Sequence, residues 1–163
     1  MPALLRDLRG WANALGPNFP AFPVSRNAPR RNHCDADRMR IRCLIVDDNP
    51  SFLVAARVLL ERQGLTIAGV ASTGAEALRQ AETLRPNVVL VDISLGKESG
   101  LDLARRLIRD DPDDGAAVIL ISTRVEEDVA DLIADSPAVG FLTKSELSAS
   151  AILRILDGSV PLR

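Results

Sequence analysis

The chain has 163 residues, 47% hydrophobic and 26% charged, with a net charge of −2, two cysteines and one histidine. This is the make-up of a globular domain: no apolar run nears the roughly 18 residues of a membrane helix, and the almost balanced charge argues against a protein that coats nucleic acid. Cys34 and Cys43 lack a C-x-x-C spacing and make no disulfide framework, so a reducing, cytoplasmic setting is expected, and His33 in its polar Arg-Asn-His-Cys-Asp stretch reads as solvated.

Charge is unevenly spread. Residues 1–38 hold six Arg, three Asp and no Lys, a charge of +3, which leaves −5 for residues 39–163. Five of the ten prolines also fall there (Pro2, Pro17, Pro20, Pro23 and Pro29), removing backbone donors and disfavouring helix before each of them. The expectation is a basic, Pro-rich, mostly disordered arm over 1–38, with room for a short helix at 3–15, followed by a domain over 39–163. Without a continuous apolar core and an A-x-A site, the arm does not read as a secretory signal. It is either an extension that the fold does not need or a basic docking arm.

From residue 41 onward, short apolar runs alternate with amphipathic stretches. Residues 41–46 are apolar except for Arg42 and too short for a helix, so they predict a strand. Asn49 as N-cap and Pro50 at the first position open a helix with Phe52, Ala56, Leu59 and Leu60 on its inner face, and Gly64 ends it. Residues 66–70 form the second predicted strand. Thr73-x-x-Glu76 is a capping box for a helix that turns Ala77, Leu78, Ala81 and Leu84 inward and stops before Pro86. Then come a strand at 87–91, a helix at 100–109 with Leu101, Ala104, Leu107 and Ile108 on one side, a strand at 116–121, a helix at 126–135 and a strand at 138–142. Ser145 is the expected cap of the last helix, which buries Leu147, Ala151, Ile152 and Ile155 and ends near Asp157 and Gly158.

Five strands alternating with five helices, the strands lacking polar alternation, imply an α/β doubly wound fold with a parallel sheet covered on both faces. In such sheets the functional crevice lies outside the carboxyl ends of the strands, where the winding reverses. Strand one ends in Asp47 and Asp48, strand three in Asp92 and strand four in Ser122 and Thr123, while Lys144 follows strand five. Two strand orders are common for such sheets, and in one of them, 2-1-3-4-5, Asp92 would lie beside Asp47 and Asp48. Three acids together repel one another unless a cation joins them, and oxygen donors of this kind suit Mg²⁺. Lys144, one of only two lysines against eighteen arginines, offers a compact charge for a phosphoryl oxygen.

These residues resemble the receiver domain of bacterial two-component response regulators. The resemblance covers roughly 41–158 and rests on a constellation: Asp48 to Asp92 is 44 residues, Asp92 to Ser122 is 30, and Ser122 to Lys144 is 22. It implies a flavodoxin-like (βα)5 fold of strand order 2-1-3-4-5. It also implies that Asp92 accepts a phosphoryl group and that Asp47, Asp48, Asp92 and the backbone carbonyl of Ser94 hold Mg²⁺. Ser122 and Lys144 would bind the phosphoryl oxygens, with Ser122 moving on activation and Phe141 turning inward behind it. The residues also have plainer readings: Asp47 or Asp48 as helix-dipole partners, Asp92 as a turn cap, Ser122 as a turn hydroxyl, Phe141 as a core aromatic.

Two departures stand out. Gly96 falls where the family often has Pro, and Lys144 precedes Ser145 where many members have a cis Pro; the Lys-Ser-Glu-Leu form resembles receivers that precede a helix-turn-helix domain of the LuxR type. Only five residues follow Gly158, so a stand-alone receiver without its own DNA-binding domain is expected. It would be phosphorylated by a histidine kinase or phosphotransfer protein and signal through a protein effector, with no membrane contact, as a monomer or a phosphorylation-dependent dimer. Its output surface would be helix four, strand five and helix five, including Val125, Val129 and Leu132. It is not expected to be an enzyme in the turnover sense, its catalysis being confined to its own phosphorylation and dephosphorylation. The alternatives are an interaction module that signals without phosphorylation, and a metal-dependent phosphatase; the latter needs an acid two residues beyond Asp92, where Ser94 stands.

Overall fold

A computed structural model of the chain describes residues 41–110 and 115–158. The expected arm over 1–38, with its helix at 3–15, lies outside the described residues. Strand β1 (Arg42–Val46) leads into helix α1 (Pro50–Arg62), then β2 (Thr66–Ala71), α2 (Gly74–Leu84), β3 (Val88–Asp92), a pair of two-residue strands β4 (Ser94–Leu95) and β5 (Glu98–Ser99), α3 (Gly100–Asp110), β6 (Ala117–Ser122), α4 (Glu126–Ala134), β7 (Gly140–Thr143), a 3₁₀ turn (Lys144–Glu146) and α5 (Ala149–Leu156). The main sheet runs β2-β1-β3-β6-β7, parallel throughout, which is the expected 2-1-3-4-5 order of a flavodoxin-like fold.

The central strands are apolar because both faces are covered. Every residue of β3 is buried, as are Cys43 to Val46 of β1 and Val118 to Ser122 of β6. Leu44, Val46, Val89, Val91, Val118 and Leu120 form one core with Ala77 of α2, Leu103, Ala104 and Leu107 of α3, and Val129 and Ile133 of α4. The alternate residues Cys43, Ile45, Leu90, Ile119 and Ile121 face the other side, as the period of two requires. None of the described helices is long and apolar enough to cross a membrane.

Helix α1 starts as expected: Asn49 Oδ1 accepts from the N–H groups of Ser51 (3.0 Å) and Phe52 (3.3 Å), with Pro50 at the first position. Its buried stripe is Leu53, Ala56 and Leu60, however, and Leu59 is 40% exposed. The stripe is rotated by about one residue from the expected face, so that Phe52 sits at its margin. In α2, Thr73 Oγ1 accepts from Glu76 N–H at 3.2 Å, but the Glu76 carboxylate reaches the N–H of Ser72 (3.0 Å) instead of closing the box on Thr73. The N–H of Gly74 is satisfied from elsewhere, by Glu98 Oε2 at 2.9 Å.

Other boundaries moved for local reasons. The N–H of Ala138 bonds Ser136 Oγ (3.0 Å), so β7 begins at Gly140, two residues late. Ser145 does not cap α5. It lies in the 3₁₀ turn and meets Thr143 Oγ1 at 3.1 Å, while Ser148 Oγ accepts from Ala151 N–H at 3.1 Å and is the cap. Val129, expected on the exposed side of α4, is 2% exposed; Val125 and Leu132 are the exposed apolar residues of that region.

The β4–β5 hairpin was not anticipated. Leu95 pairs with Glu98, leaving Gly96 and Lys97 as a two-residue turn. Gly96 has φ +60° whereas Lys97 does not enter the left-handed region, the pattern of a type II′ turn. This is the physical content of Gly96 standing where the family often has Pro: Pro is locked near φ −65° and could not make this turn.

Candidate functional site

Register brings the site together. Val46 lies opposite Val91 and Ala71, so Asp47 and Asp92 leave adjacent strands at the same level, and Ser122 pairs with Thr143 just before Lys144. Asp47, Asp48 and Asp92 each present a carboxylate oxygen within a span of 4.8 Å. Asp47 and Asp92 are buried and Asp48 is exposed.

Each acid is held by its neighbours. Asp47 Oδ1 accepts from the N–H of Asn49 at 2.8 Å, and Asp92 Oδ1 accepts from the N–H of Ser94 at 3.0 Å. Lys144 Nζ donates to Asp92 Oδ2 at 3.0 Å and also forms an ion pair with Asp47 Oδ2. That Asp47 oxygen is buried, and the Lys144 ammonium balances its charge. The Lys144 ammonium also stands over the ring of Phe52, 4.4 Å from its centroid.

Burial pushes the Asp92 carboxyl above its usual range; the hydrogen bonds from Lys144 and Ser94 oppose the shift, and the Asp47 charge adds to it. For Lys144, partial burial acts against the charged form, but its bonds to Asp47 and Asp92 outweigh this and raise its pKa. The ammonium is therefore charged at neutral pH. Three carboxylates face one ammonium, an excess of negative charge in a partly dry crevice. Hard oxygen donors gathered within 4.8 Å and a negative charge that one ammonium does not fully offset fit a divalent cation of the Mg²⁺ type.

The rest of the crevice comes from the loops. Gly100, the first residue of α3, is required by close approach, because a β-carbon there would lie 1.9 Å from the carbonyl oxygen of Asp92. At the hairpin tip, a β-carbon on Gly96 would lie 3.5 Å from Asp48 Oδ2, so the turn borders the acids. Ser122 is 4% exposed at the end of β6, and its Oγ accepts from Arg124 N–H at 3.1 Å. Phe141 on β7 is half-buried against the core that contains Val129 and Ile133.

The rim residues expected from the sequence thus lie at the carboxyl edge of the sheet, with Lys144 in direct association with Asp47 and Asp92 and with Asp48 beside those two acids. Sequence reasoning missed the Phe52 ring against Lys144, having assigned Phe52 to the inner face of α1. It also missed Glu98, which ties the hairpin to α2. The Phe52 signal was its place in the first turn of a helix that starts directly after the acidic pair.

The fold and the crevice define a class of parallel doubly wound α/β domain with three acids and one lysine at the carboxyl edge of the sheet, at its switch point. Within that class the chain belongs to the response regulator receiver domain family, whose model matches residues 43–156. It is similar to the response regulator GacA of Pseudomonas viridiflava, 33% identical over 105 residues, covering 64% of this chain and 48% of that one. The chain spans about half the length of the curated relatives it matches. Among solved structures it is similar to the signal receiver domain of a modulated diguanylate cyclase from Desulfovibrio desulfuricans, 30% identical with TM-score 0.59, covering 72% of this chain and 90% of that one. It is also similar to a response regulator from Burkholderia pseudomallei with a phosphorylated aspartic acid, calcium ion and citrate, 29% identical with TM-score 0.60, covering 71% of this chain and 65% of that one.

Proposed function

We propose that the chain is a phospho-accepting component of a two-component phosphorelay, phosphorylated on Asp92 by a histidine kinase or phosphotransfer protein. The observation that carries this reading is the Asp47, Asp48 and Asp92 cluster with Lys144 bonded into it. A phosphorylated aspartic acid and a calcium ion in the Burkholderia relative support it.

Asp92 is the nucleophile: one carboxylate oxygen takes the phosphoryl group as an acyl phosphate while the donor keeps the electrons of the broken bond. Its Oδ1 is held by Ser94 N–H, which orients the carboxyl group. Asp47, Asp48, Asp92 and the Ser94 carbonyl would hold Mg²⁺, which when bound would neutralise charge on the transferred oxygens. Lys144 pairs with a phosphoryl oxygen in place of Asp92 Oδ2. Ser122 donates its hydroxyl hydrogen to the phosphoryl group, for which the bond it accepts from Arg124 leaves it free. Its displacement toward Asp92 opens space for Phe141, changing the α4, β7 and α5 surface that a downstream protein reads.

The chain in this reading turns over no external substrate beyond its own phosphorylation and dephosphorylation. It works in the cytoplasm, as a monomer or a phosphorylation-dependent dimer, and signals through a protein effector. Its domain occupies 39–163, with 1–38 a basic arm outside it. Incubation with acetyl phosphate and Mg²⁺ tests the reading. A mass gain of one phosphoryl group located at Asp92 is expected, and a folded protein that gains none overturns it.

A further inference from the structure

We infer that Phe52 is a positioning residue for Lys144, holding the ammonium at the rim through its ring face; the inference rests on the phospho-acceptor reading above. The Lys144 nitrogen lies 4.4 Å from the ring centroid, inside the roughly 6 Å over which an aromatic face attracts a cation. The ring belongs to the first turn of α1, and that turn is tied down: Asn49 Oδ1 accepts from the N–H of Phe52 itself, and Pro50 pre-sets the backbone. The same turn begins directly after Asp47 and Asp48, so acids and ring are delivered by one short segment.

Lys144 needs such a seat. Its side chain is long and follows β7 in a 3₁₀ turn, and its other partners among the described residues are Asp47 and Asp92. A divalent cation among the three acids competes with the ammonium for the same carboxylates. The ring is neutral and does not take part in that competition, so it retains the ammonium near Asp92 when the carboxylates are taken. A half-buried Phe52 also keeps water from that side of a lysine whose side chain is 15% exposed. Leu at position 52 would fill similar space without the negative ring face.

The test compares wild type, Phe52→Leu and Phe52→Trp in the full chain with saturating Mg²⁺. Proton–carbon NMR reads the ε-methylene of Lys144, which a ring beneath it shifts upfield. Wild type and Phe52→Trp are expected to show that shift and Phe52→Leu to lack it. With acetyl phosphate, Phe52→Leu is expected to be phosphorylated about fivefold more slowly at equal thermal stability, with Phe52→Trp restoring the rate. An ordinary Lys144 signal in the wild type overturns the inference, as does a Phe52→Leu rate equal to wild type. Those results leave the phospho-acceptor reading standing; failure of the wild type to gain mass at Asp92 takes both down.

Discussion

Lys144 Nζ donates to Asp92 Oδ2 at 3.0 Å across 52 residues of sequence, and the same ammonium forms an ion pair with Asp47. One cation therefore holds two buried carboxylates that would otherwise repel each other. Replacing it by an apolar residue of like length leaves both carboxylates uncompensated. Lys144→Met is expected to lower stability at pH 7 by about 2 kcal/mol, less than for a fully buried pair because the ammonium keeps some contact with water. Urea denaturation measures the loss. Added Mg²⁺ is expected to restore part of it, and to stabilise the wild type by about 1.4 kcal/mol at ten times its dissociation constant. Asp47→Asn and Asp48→Asn should each blunt that response.

The acidity of Asp92 has a consequence for pH dependence in the absence of divalent cations. Its folded pKa lies above the ordinary 3.8 of an aspartate carboxyl, chiefly through burial. As pH rises past that value the unfolded chain releases the proton first, so stability is lost from there up to the folded pKa. Lys144 behaves similarly at the alkaline end: its pKa is raised above 10.5, so its contribution is full below that value and lost as pH rises through the folded one. Urea midpoints measured from pH 3.5 to 7 should fall less steeply in Asp92→Asn than in wild type. Equal slopes would refute the assignment.

Cys43 lies on the central strand β1, fully buried, and burial pushes its thiol up to about 12 from 9.0. A protonated, inaccessible thiol does not react. In a Cys34→Ser chain, iodoacetamide is expected to modify Cys43 only at the rate of unfolding, with urea bringing on the reaction along the denaturation curve. Rapid modification of the native protein would contradict the burial.

Two glycines carry the crevice walls. Gly100→Ala places a methyl group against the Asp92 carbonyl and is expected to cost about 3 kcal/mol and to slow phosphorylation at Asp92. Gly96→Pro cannot adopt φ +60° and should open the β4–β5 turn, releasing Glu98 from Gly74. Hydrogen exchange at the Gly74 amide, measured in each variant, should speed up in Gly96→Pro.

Strand and helix order, burial of the sheet on both faces and the identity of the rim residues were legible in the chain itself. They depend on local pattern: continuous apolar runs, the Asn49-Pro50 start, the Thr73 cap, and acids or hydroxyls placed directly after strands. The resemblance supplied the strand order, and with it the neighbourhood of Asp92 and Asp47. What local pattern could not decide was every feature that depends on which atoms meet across the fold. Ser148 displaced Ser145 as a cap because Lys144–Glu146 closed into a 3₁₀ turn. The α1 stripe rotated to Leu53, Ala56 and Leu60, which placed Phe52 at the margin, where Lys144 reaches its ring. Glu98 found an N-terminal amide of α2 only because the hairpin carried it there. Hydrophobic period and capping are short-range and can be read in sequence. The cation shared by Asp47, Asp92 and Phe52 is set by packing between segments up to 97 residues apart, and only the tertiary structure decides it.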